Sequence, residues 1–273
     1  MENITAKGLK SFGEFPSSTV LLAYLISAPF LHRVSSLRVF GQLTVPFAPQ
    51  HTSIFVPGPP SDSETPSLKK NDGLSIHSEL LRKGLHILAL VIPFGMLTLD
   101  RSVVVSITGV LALSCIALEL SRAYSSSVNA AVIAVLGPIM RPPEEQTTLD
   151  QVEFSGATHI VISAALLSLL VPAKIGAPLL AMFVIADGLA AVVGRNYGQL
   201  QLPCTEKTME GFFTFGLSGT TVLLIITDFS FLLSLLMPFI SGFLEVLPFD
   251  INDNLYVPTT SSFILHFIFT LSI

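Results

Sequence analysis

The run IGAPLLAMFVIADGLAAVV, residues 175–193, decides the fold. It is apolar over about the 20 residues that a helix needs to cross a bilayer. Six more apolar runs lie at residues 85–99, 102–120, 157–172, 211–227, 230–248 and 261–273. Several of these runs are shorter than about 20 residues, so tilt or flanking polar residues must extend them. The sequence predicts an all-α, polytopic transmembrane helical bundle with about seven spans.

Composition agrees with a protein that lies in lipid. Hydrophobic residues make up 51% of the chain, charged residues only 12%, and the mean hydropathy is +0.71, whereas a soluble domain carries about 25% charge. The net charge of -5 gives no basic footprint for nucleic acid. Two cysteines are too few for a disulfide framework.

Residues 1–75 differ from the rest of the chain. The apolar segment at 19–31 is too short for an ordinary span. Residues 44–75 are rich in proline, serine and threonine, which is typical of a linker or a disordered segment. The sequence therefore predicts a disordered or weakly structured extension over residues 1–75 and a membrane-embedded domain over 76–273.

Basic residues predict the orientation, because they collect on the cytoplasmic side. If the shorter apolar stretch Val128–Met140 lies at the interface without crossing, eight basic residues face the cytoplasm and two, Arg101 and Lys174, face the other side. The eight are Lys69, Lys70, Arg82, Lys83, Arg122, Arg141, Arg195 and Lys207. A full span at Val128–Met140 would invert the later half and remove this asymmetry.

Asp187 is a candidate catalytic residue because it lies inside an apolar run. An unpaired charge in the hydrocarbon costs roughly 2.5–3.5 kcal/mol or more, so such residues mark functional sites. Its carboxylate is suited to bind Mg²⁺ or to act as a base toward a hydroxyl. The alternative is a structural role as a hydrogen-bond partner between helices.

The connection after this run predicts a phosphate-binding site. Gly194, Arg195 and Gly198 offer positive charge and backbone that permits close approach. Lys207 and Thr208 directly precede the next span, near Gly211, where a helix start offers free N–H groups and a positive dipole end. Further acidic residues, Glu210 and Asp253, are candidate metal ligands together with Asp187.

Two histidines complete the set of candidate catalytic residues. At the start of the first run, His86 shares a helix face with Glu79 and with Arg82 or Lys83. The side chains of Arg82 and Lys83 are candidates to bind the phosphates of the nucleotide. His159 lies one turn into a later run. Ordinary positive-inside anchoring is the alternative for Arg82 and Lys83.

Five pieces of the chain, over roughly residues 76–260, resemble the CTP-dependent lipid kinases, which include dolichol kinase, phytol kinase and the CTP-dependent diacylglycerol kinase. They are ELLRKGLH at 79–86, GATH at 156–159, ADGLAAVVGRNYG at 186–198, EKTMEG at 206–211 and DNLYVP at 253–258. The resemblance implies CTP as donor, Mg²⁺, and a hydroxyl-bearing membrane lipid as acceptor: polyprenol or dolichol, phytol, or diacylglycerol. This chain departs from the family pattern at Gly188, where a polar residue often follows the aspartate.

Phosphatidate cytidylyltransferase chemistry stays open, because it uses the same donor and metal. An ion-coupled transporter, with Asp187 and His159 on the path, is a further alternative, but the charges gather at one side of the membrane. The expected location is a prokaryotic cell membrane, or the ER or plastid membrane if the source is eukaryotic.

Overall fold

The computed structural model describes residues 84–140, 142–149, 152–202, 205, 207–247 and 251–271. Several sequence predictions fall outside these residues: the extension 1–75 and its segment 19–31, the side chains of Glu79, Arg82 and Lys83, and Arg141. Every secondary-structure element of the described part is a helix, so the all-α prediction holds there.

Nine α-helices follow one another along the described chain. They are α1 (Gly84–Thr98), α2 (Arg101–Tyr124), α3 (Ser126–Leu136), the short α4 (Pro142–Glu145), α5 (Gly156–Leu170), α6 (Ala173–Tyr197), α7 (Met209–Ile226), α8 (Phe231–Val246) and α9 (Asp253–Leu271). Helix α1 contains an irregular turn at residues 89–90. Pro93 explains it, because proline has no N–H to donate to the carbonyl of Ala89 and its ring clashes there.

Three helices are long and apolar enough to cross a membrane: α2, α6 and α7. Helices α1, α5 and α8 are apolar but shorter, so the prediction of about seven spans is not confirmed. Large apolar side chains nevertheless lie on the outside of the bundle, among them Val110, Leu113 and Ile225, which are 66%, 69% and 76% exposed. A soluble surface rarely carries so much apolar area, whereas a lipid-facing one does.

Helix α6 lies at the centre of the bundle. Between residues 177 and 186, six of its side chains are completely buried: Ala177, Leu179, Met182, Phe183, Val184 and Ala186. Small residues allow its neighbours to approach closely: a Cβ atom at Gly219 of α7 would lie 2.7 Å from Pro238 of α8 and 3.0 Å from Met182. Such small-residue contacts are the usual means of helix packing in membranes.

Hydroxyl pairs also join the helices inside the bundle. Thr108 and Ser168 lie 2.9 Å apart between α2 and α5, Ser163 and Thr259 2.9 Å apart between α5 and α9, and Ser241 and Ser261 2.8 Å apart between α8 and α9. Each pair satisfies polar groups that would otherwise be left in an apolar interior, typically contributing about 0.6 kcal/mol.

The connection between α2 and α5 starts and finishes at the same end of the bundle. Glu119, near the end of α2, accepts hydrogen bonds from the Ser155 N–H and from Thr158 at the start of α5, at 3.0 and 2.9 Å. Helix α3, with no fully buried residue, lies between these two points. The stretch Val128–Met140 therefore does not carry the chain to the other end of the bundle. This agrees with the predicted placement of the stretch at the interface.

Two helix boundaries differ from the sequence prediction. Gly194 and Arg195 were expected in a polar connection, but α6 continues to Tyr197, so both belong to its last turn. Asp253 and Asn254 are the first residues of α9, which begins well before the apolar run at 261. In both cases the end of the helix consists of polar residues. Hydropathy marks only the apolar part of a helix and therefore misses these ends.

Candidate active site

Asp187 and His86 meet at one end of the bundle. The Asp187 carboxylate on α6 lies 3.3 Å from Nε2 of His86, which belongs to the first turn of α1. The His86 ring packs edge-on against Phe183, one turn before Asp187 on α6. The Asp187 side chain is 25% exposed and that of His86 is 14% exposed. This carboxylate is thus half-enclosed, next to a proton-carrying group and still open to a ligand.

Lys207 connects two other helices at the same end. Its ammonium donates to the backbone carbonyl and the carboxylate of Glu245, both at 2.8 Å, and to the Asp253 carboxylate at 2.7 Å. Glu245 belongs to the last turn of α8, where carbonyl groups lack helical partners, and Asp253 begins α9. A cation at a helix C-terminus is favourable because of the helix dipole.

Burial and charge act in opposite directions on Lys207. Burial alone would lower the pKa of its ammonium, because it disfavours the charged form. The charges of Glu245 and Asp253, and the hydrogen bonds to them, outweigh that effect and raise the pKa above its ordinary value. Lys207 is therefore a fixed cation at neutral pH.

Glu245 is a largely buried acid that interacts with both Asp187 and Lys207. Its side chain is only 9% exposed, and it interacts electrostatically with Asp187 as well as with Lys207. Glu245 is not among the site residues that the sequence predicts. One signal was present, since Glu245 is an acid at the end of an apolar run, but its proximity to Asp187 and Lys207 depends on tertiary packing.

The glycines of the predicted phosphate loop are used for close packing between α6 and α7. A Cβ atom at Gly198 would lie 2.6 Å from a methyl carbon of Thr208, and one at Gly194 would lie 3.0 Å from the Thr208 hydroxyl. A Cβ atom at Gly211 would meet the Ala190 carbonyl at 3.3 Å. These three glycines bring the helix ends together; their contact with nucleotide stays a prediction.

The start of α7 is already capped by protein groups. The Thr208 side chain accepts from the Gly211 N–H at 3.2 Å, and the Met209 N–H donates to the Leu200 carbonyl at 2.8 Å. The expectation that this helix start offers free N–H groups is therefore wrong for these two amides. The positive end of the helix dipole remains available to an anion.

The predicted metal ligands Asp187, Glu210 and Asp253 are not brought together. The Glu210 carboxylate lies over the preceding turn, 3.3 Å from the Leu200 N–H, and Asp253 is paired with Lys207. Within the described ranges, no three His, Cys, Asp or Glu side chains form a group that would hold a metal ion. In this arrangement each of the three carboxylates has a different partner, and their joint role as metal ligands stays a prediction.

Arg195 and His159, two further predicted site residues, belong to the end of α6 and the start of α5. Arg195 is exposed in the last turn of α6. The Nδ1 atom of His159 lies 2.9 Å from the Ser155 carbonyl, and its ring packs near Phe154, so both contacts are local to the start of α5. The proposed roles of Arg195 and His159 stay predictions.

A buried ion pair supports the site from the side of α2. Glu119 and Arg122 are 4% and 2% exposed and contact each other directly. Arg122 also donates to Asn129 of α3 at 3.1 Å. Since Glu119 also accepts from Ser155 and Thr158, the pair fixes the start of α5.

The start of α5 in turn holds the start of α9. The Asn254 side chain donates to the Gly156 carbonyl at 3.0 Å, and a Cβ atom at Gly156 would lie 2.8 Å from that amide nitrogen. Asn254 directly follows Asp253, the partner of Lys207. The buried pair on α2 is thus linked to the Lys207 group through backbone and side-chain hydrogen bonds.

We expect Glu119→Leu to lower the free energy of unfolding by about 3–5 kcal/mol, because it leaves the Arg122 guanidinium buried without its counter-charge. Thermal unfolding in detergent measures this loss. The double variant Glu119→Leu with Arg122→Met should recover only part of the stability, because Ser155, Thr158 and Asn129 still lose their hydrogen-bond partners. Ser121→Ala, an exposed change on the same helix, is the matched control, and an equal loss for Ser121→Ala and Glu119→Leu would contradict the assignment.

Comparisons with known proteins give one partial similarity. The chain is 33% identical over 87 residues to the uncharacterized protein MJ1137 of Methanocaldococcus jannaschii, a match that covers 31% of this chain and 44% of that protein. No family model matches the chain, and no solved structure matches it. The chain thus spans less than half the length of this relative.

Proposed function

We propose that the chain is a CTP-dependent lipid kinase, which transfers the γ-phosphate of CTP to the hydroxyl of a membrane lipid alcohol. The observation that carries the proposal is that two charged groups, Asp187 with His86 and Lys207 with Glu245 and Asp253, lie at one end of an apolar helical bundle. Phosphoryl transfer requires mainly cationic groups around phosphate oxygens and a correctly placed acceptor hydroxyl. A lipid is the economical acceptor, because its head group lies at the level of this end.

The charged groups suggest a division of roles. Lys207, a fixed cation, is suited to bind the donor phosphates. Asp187, enclosed and close to His86, is suited to receive the hydroxyl proton, with His86 as the group that carries it onward. In the reaction the lipid oxygen forms a bond to the γ-phosphorus, the bond to the β–γ bridging oxygen breaks, and CDP leaves with the electron pair.

Asp187 also fits the requirement of Mg²⁺, which binds through one or two carboxylates together with substrate phosphates. Its carboxylate is partly exposed and has the Glu245 carboxylate nearby. Bound Mg²⁺ would neutralise charge on the transferring phosphate. Asp187 could therefore act either as a base or as a magnesium ligand, and the effect of magnesium concentration on the activity of an Asp187 variant distinguishes the two roles.

A labelling assay tests the reaction class. Membranes that contain the protein are incubated with CTP labelled at the γ-phosphate and, in separate reactions, with phytol, polyprenol, diacylglycerol or phosphatidate. We expect label in the lipid and release of CDP. Label that appears instead in pyrophosphate, with phosphatidate as the acceptor and a CDP-lipid as product, would replace the proposal by phosphatidate cytidylyltransferase chemistry.

We further propose seven crossings, by α1, α2, α5, α6, α7, α8 and α9, with the site facing the cytoplasm. Support comes from the basic residues, since Arg122, Arg195 and Lys207 lie at the site end. The membrane would be a prokaryotic cell membrane, or the ER or plastid membrane in a eukaryote.

Cysteine labelling from each side of the membrane tests this orientation. In a background without Cys115 and Cys204, single cysteines at Asn196 and Ile251 should react with a membrane-impermeant thiol reagent from the cytoplasmic side, because both positions are exposed at the site end. A cysteine at Asp228, between α7 and α8, should react from the opposite side. Opposite sides for Asn196 and Ile251 would contradict the proposed topology.

A further inference from the structure

The ammonium of Lys207 has no spare donor in this structure. An ammonium group carries three N–H donors. The three acceptors within 2.8 Å are the Glu245 carbonyl, the Glu245 carboxylate and the Asp253 carboxylate. A phosphate oxygen can therefore bind Lys207 directly only if it replaces one of these acceptors.

The loss of the contact with Lys207 would destabilise the protein more at one of these carboxylates than at the other. The Glu245 side chain is 9% exposed, whereas that of Asp253 is 44% exposed. A carboxylate that loses its partner while buried keeps an uncompensated charge, which is strongly destabilising. A carboxylate at the surface is hydrated again at little cost, because exposed ion pairs contribute little.

We infer that Glu245 is a positioning residue that holds Lys207 throughout, and that Asp253 is the partner which an incoming phosphate replaces. The inference rests on the proposed use of a nucleoside triphosphate. Glu245 supplies two of the three contacts from one residue, and its carbonyl belongs to the fixed end of α8. Asp253 is the acceptor that faces solvent, from which a soluble nucleotide arrives.

Amine labelling of the full-length protein in lipid nanodiscs tests this assignment without using catalysis. Acetic anhydride labels lysines in the presence of EDTA and increasing inorganic tripolyphosphate, and mass spectrometry compares Lys207 with Lys174, which lies at the other end of α6. In the unsubstituted protein, tripolyphosphate should protect Lys207. Asp253→Asn removes a negative charge that opposes the anion, so half-protection should need about fivefold less tripolyphosphate.

Glu245→Gln should act in the opposite direction. Loss of the buried negative charge lowers the pKa of Lys207, so its labelling at a fixed pH becomes faster, and protection by tripolyphosphate is lost because the ammonium is no longer held in place. Asp228→Asn, remote from the site, is the control and should change neither measurement. If Glu245→Gln does not fold, Glu245→Asp, which keeps the charge on a shorter side chain, should give weakened protection.

Three results would overturn the inference: an unprotected Lys207 in the unsubstituted protein, a higher tripolyphosphate requirement in Asp253→Asn, or full protection in Glu245→Gln. Failure of the proposed function looks different. If no lipid accepts phosphate from CTP but the protection pattern holds, the roles of Glu245 and Asp253 stand and the kinase proposal falls.

Discussion

Asp187→Asn should abolish phosphoryl transfer while the protein still folds and inserts into the membrane. Asparagine keeps the size of the side chain and its ability to hydrogen-bond, but it has no charge and cannot accept a proton as a base. Asp187 lies inside a candidate span, and its carboxylate is 3.3 Å from Nε2 of His86. Loss of a positioned general base alone typically lowers the rate 10²–10⁴-fold.

The magnesium dependence of the remaining rate separates the two roles of Asp187. If the carboxylate binds Mg²⁺, high magnesium should partly restore activity of Asp187→Asn. If it acts as a base, added magnesium should have no effect, and the pH dependence of the rate should change instead. Asp228→Asn is the matched control. A fully active, correctly inserted Asp187→Asn protein would show that Asp187 is a structural partner of His86.

Lys207→Ala should lower the rate of CTP use by about 10²-fold or more, as the loss of a charged transition-state contact does. The substitution also leaves the Glu245 carboxylate, which is 9% exposed, without its cation. A loss of activity must therefore be compared with thermal stability in the same preparation. Unchanged stability with a much lower kcat/KM for CTP would assign the loss to the phosphate contact.

Lys207→Arg tests geometry as well as charge. A planar guanidinium does not replace a compact ammonium that donates to three acceptors from three directions. We expect Lys207→Arg to keep the fold, because the charge beside Glu245 and Asp253 is preserved, but to recover only part of the activity. Near-normal CTP use by Lys207→Ala would contradict any role of Lys207 in donor binding.

The sequence predicted the features that depend on local composition. Apolar runs located the helices, and Asp187 stood out because a charge inside such a run is costly. The sequence also placed the polar residues at one end of the bundle, since alternate helix ends must share a side. Contacts between Asp187 and His86, and between Lys207 and Asp253, confirm that these distant segments meet.

Other features depend on packing that no local pattern encodes. Glu119 and Arg122 have the spacing of a helical ion pair, but their burial is decided by Ser155 and Thr158, more than thirty positions later. Gly194 and Gly198 are predicted to permit close approach of phosphate, and the structure places both glycines close to Thr208. A glycine pattern does not distinguish close approach of a ligand from close approach of a helix.

The position of Asp187 along α6 sets a depth as well as a contact. The helix continues from residue 187 to residue 197, which corresponds to about 15 Å of helix below its polar end. In the proposed reaction, an acceptor hydroxyl would reach this carboxylate only if its carbon chain held it at that level of the bilayer. This depth would then select lipids by how deeply their hydroxyl sits, and short water-soluble alcohols should be poor acceptors even at high concentration.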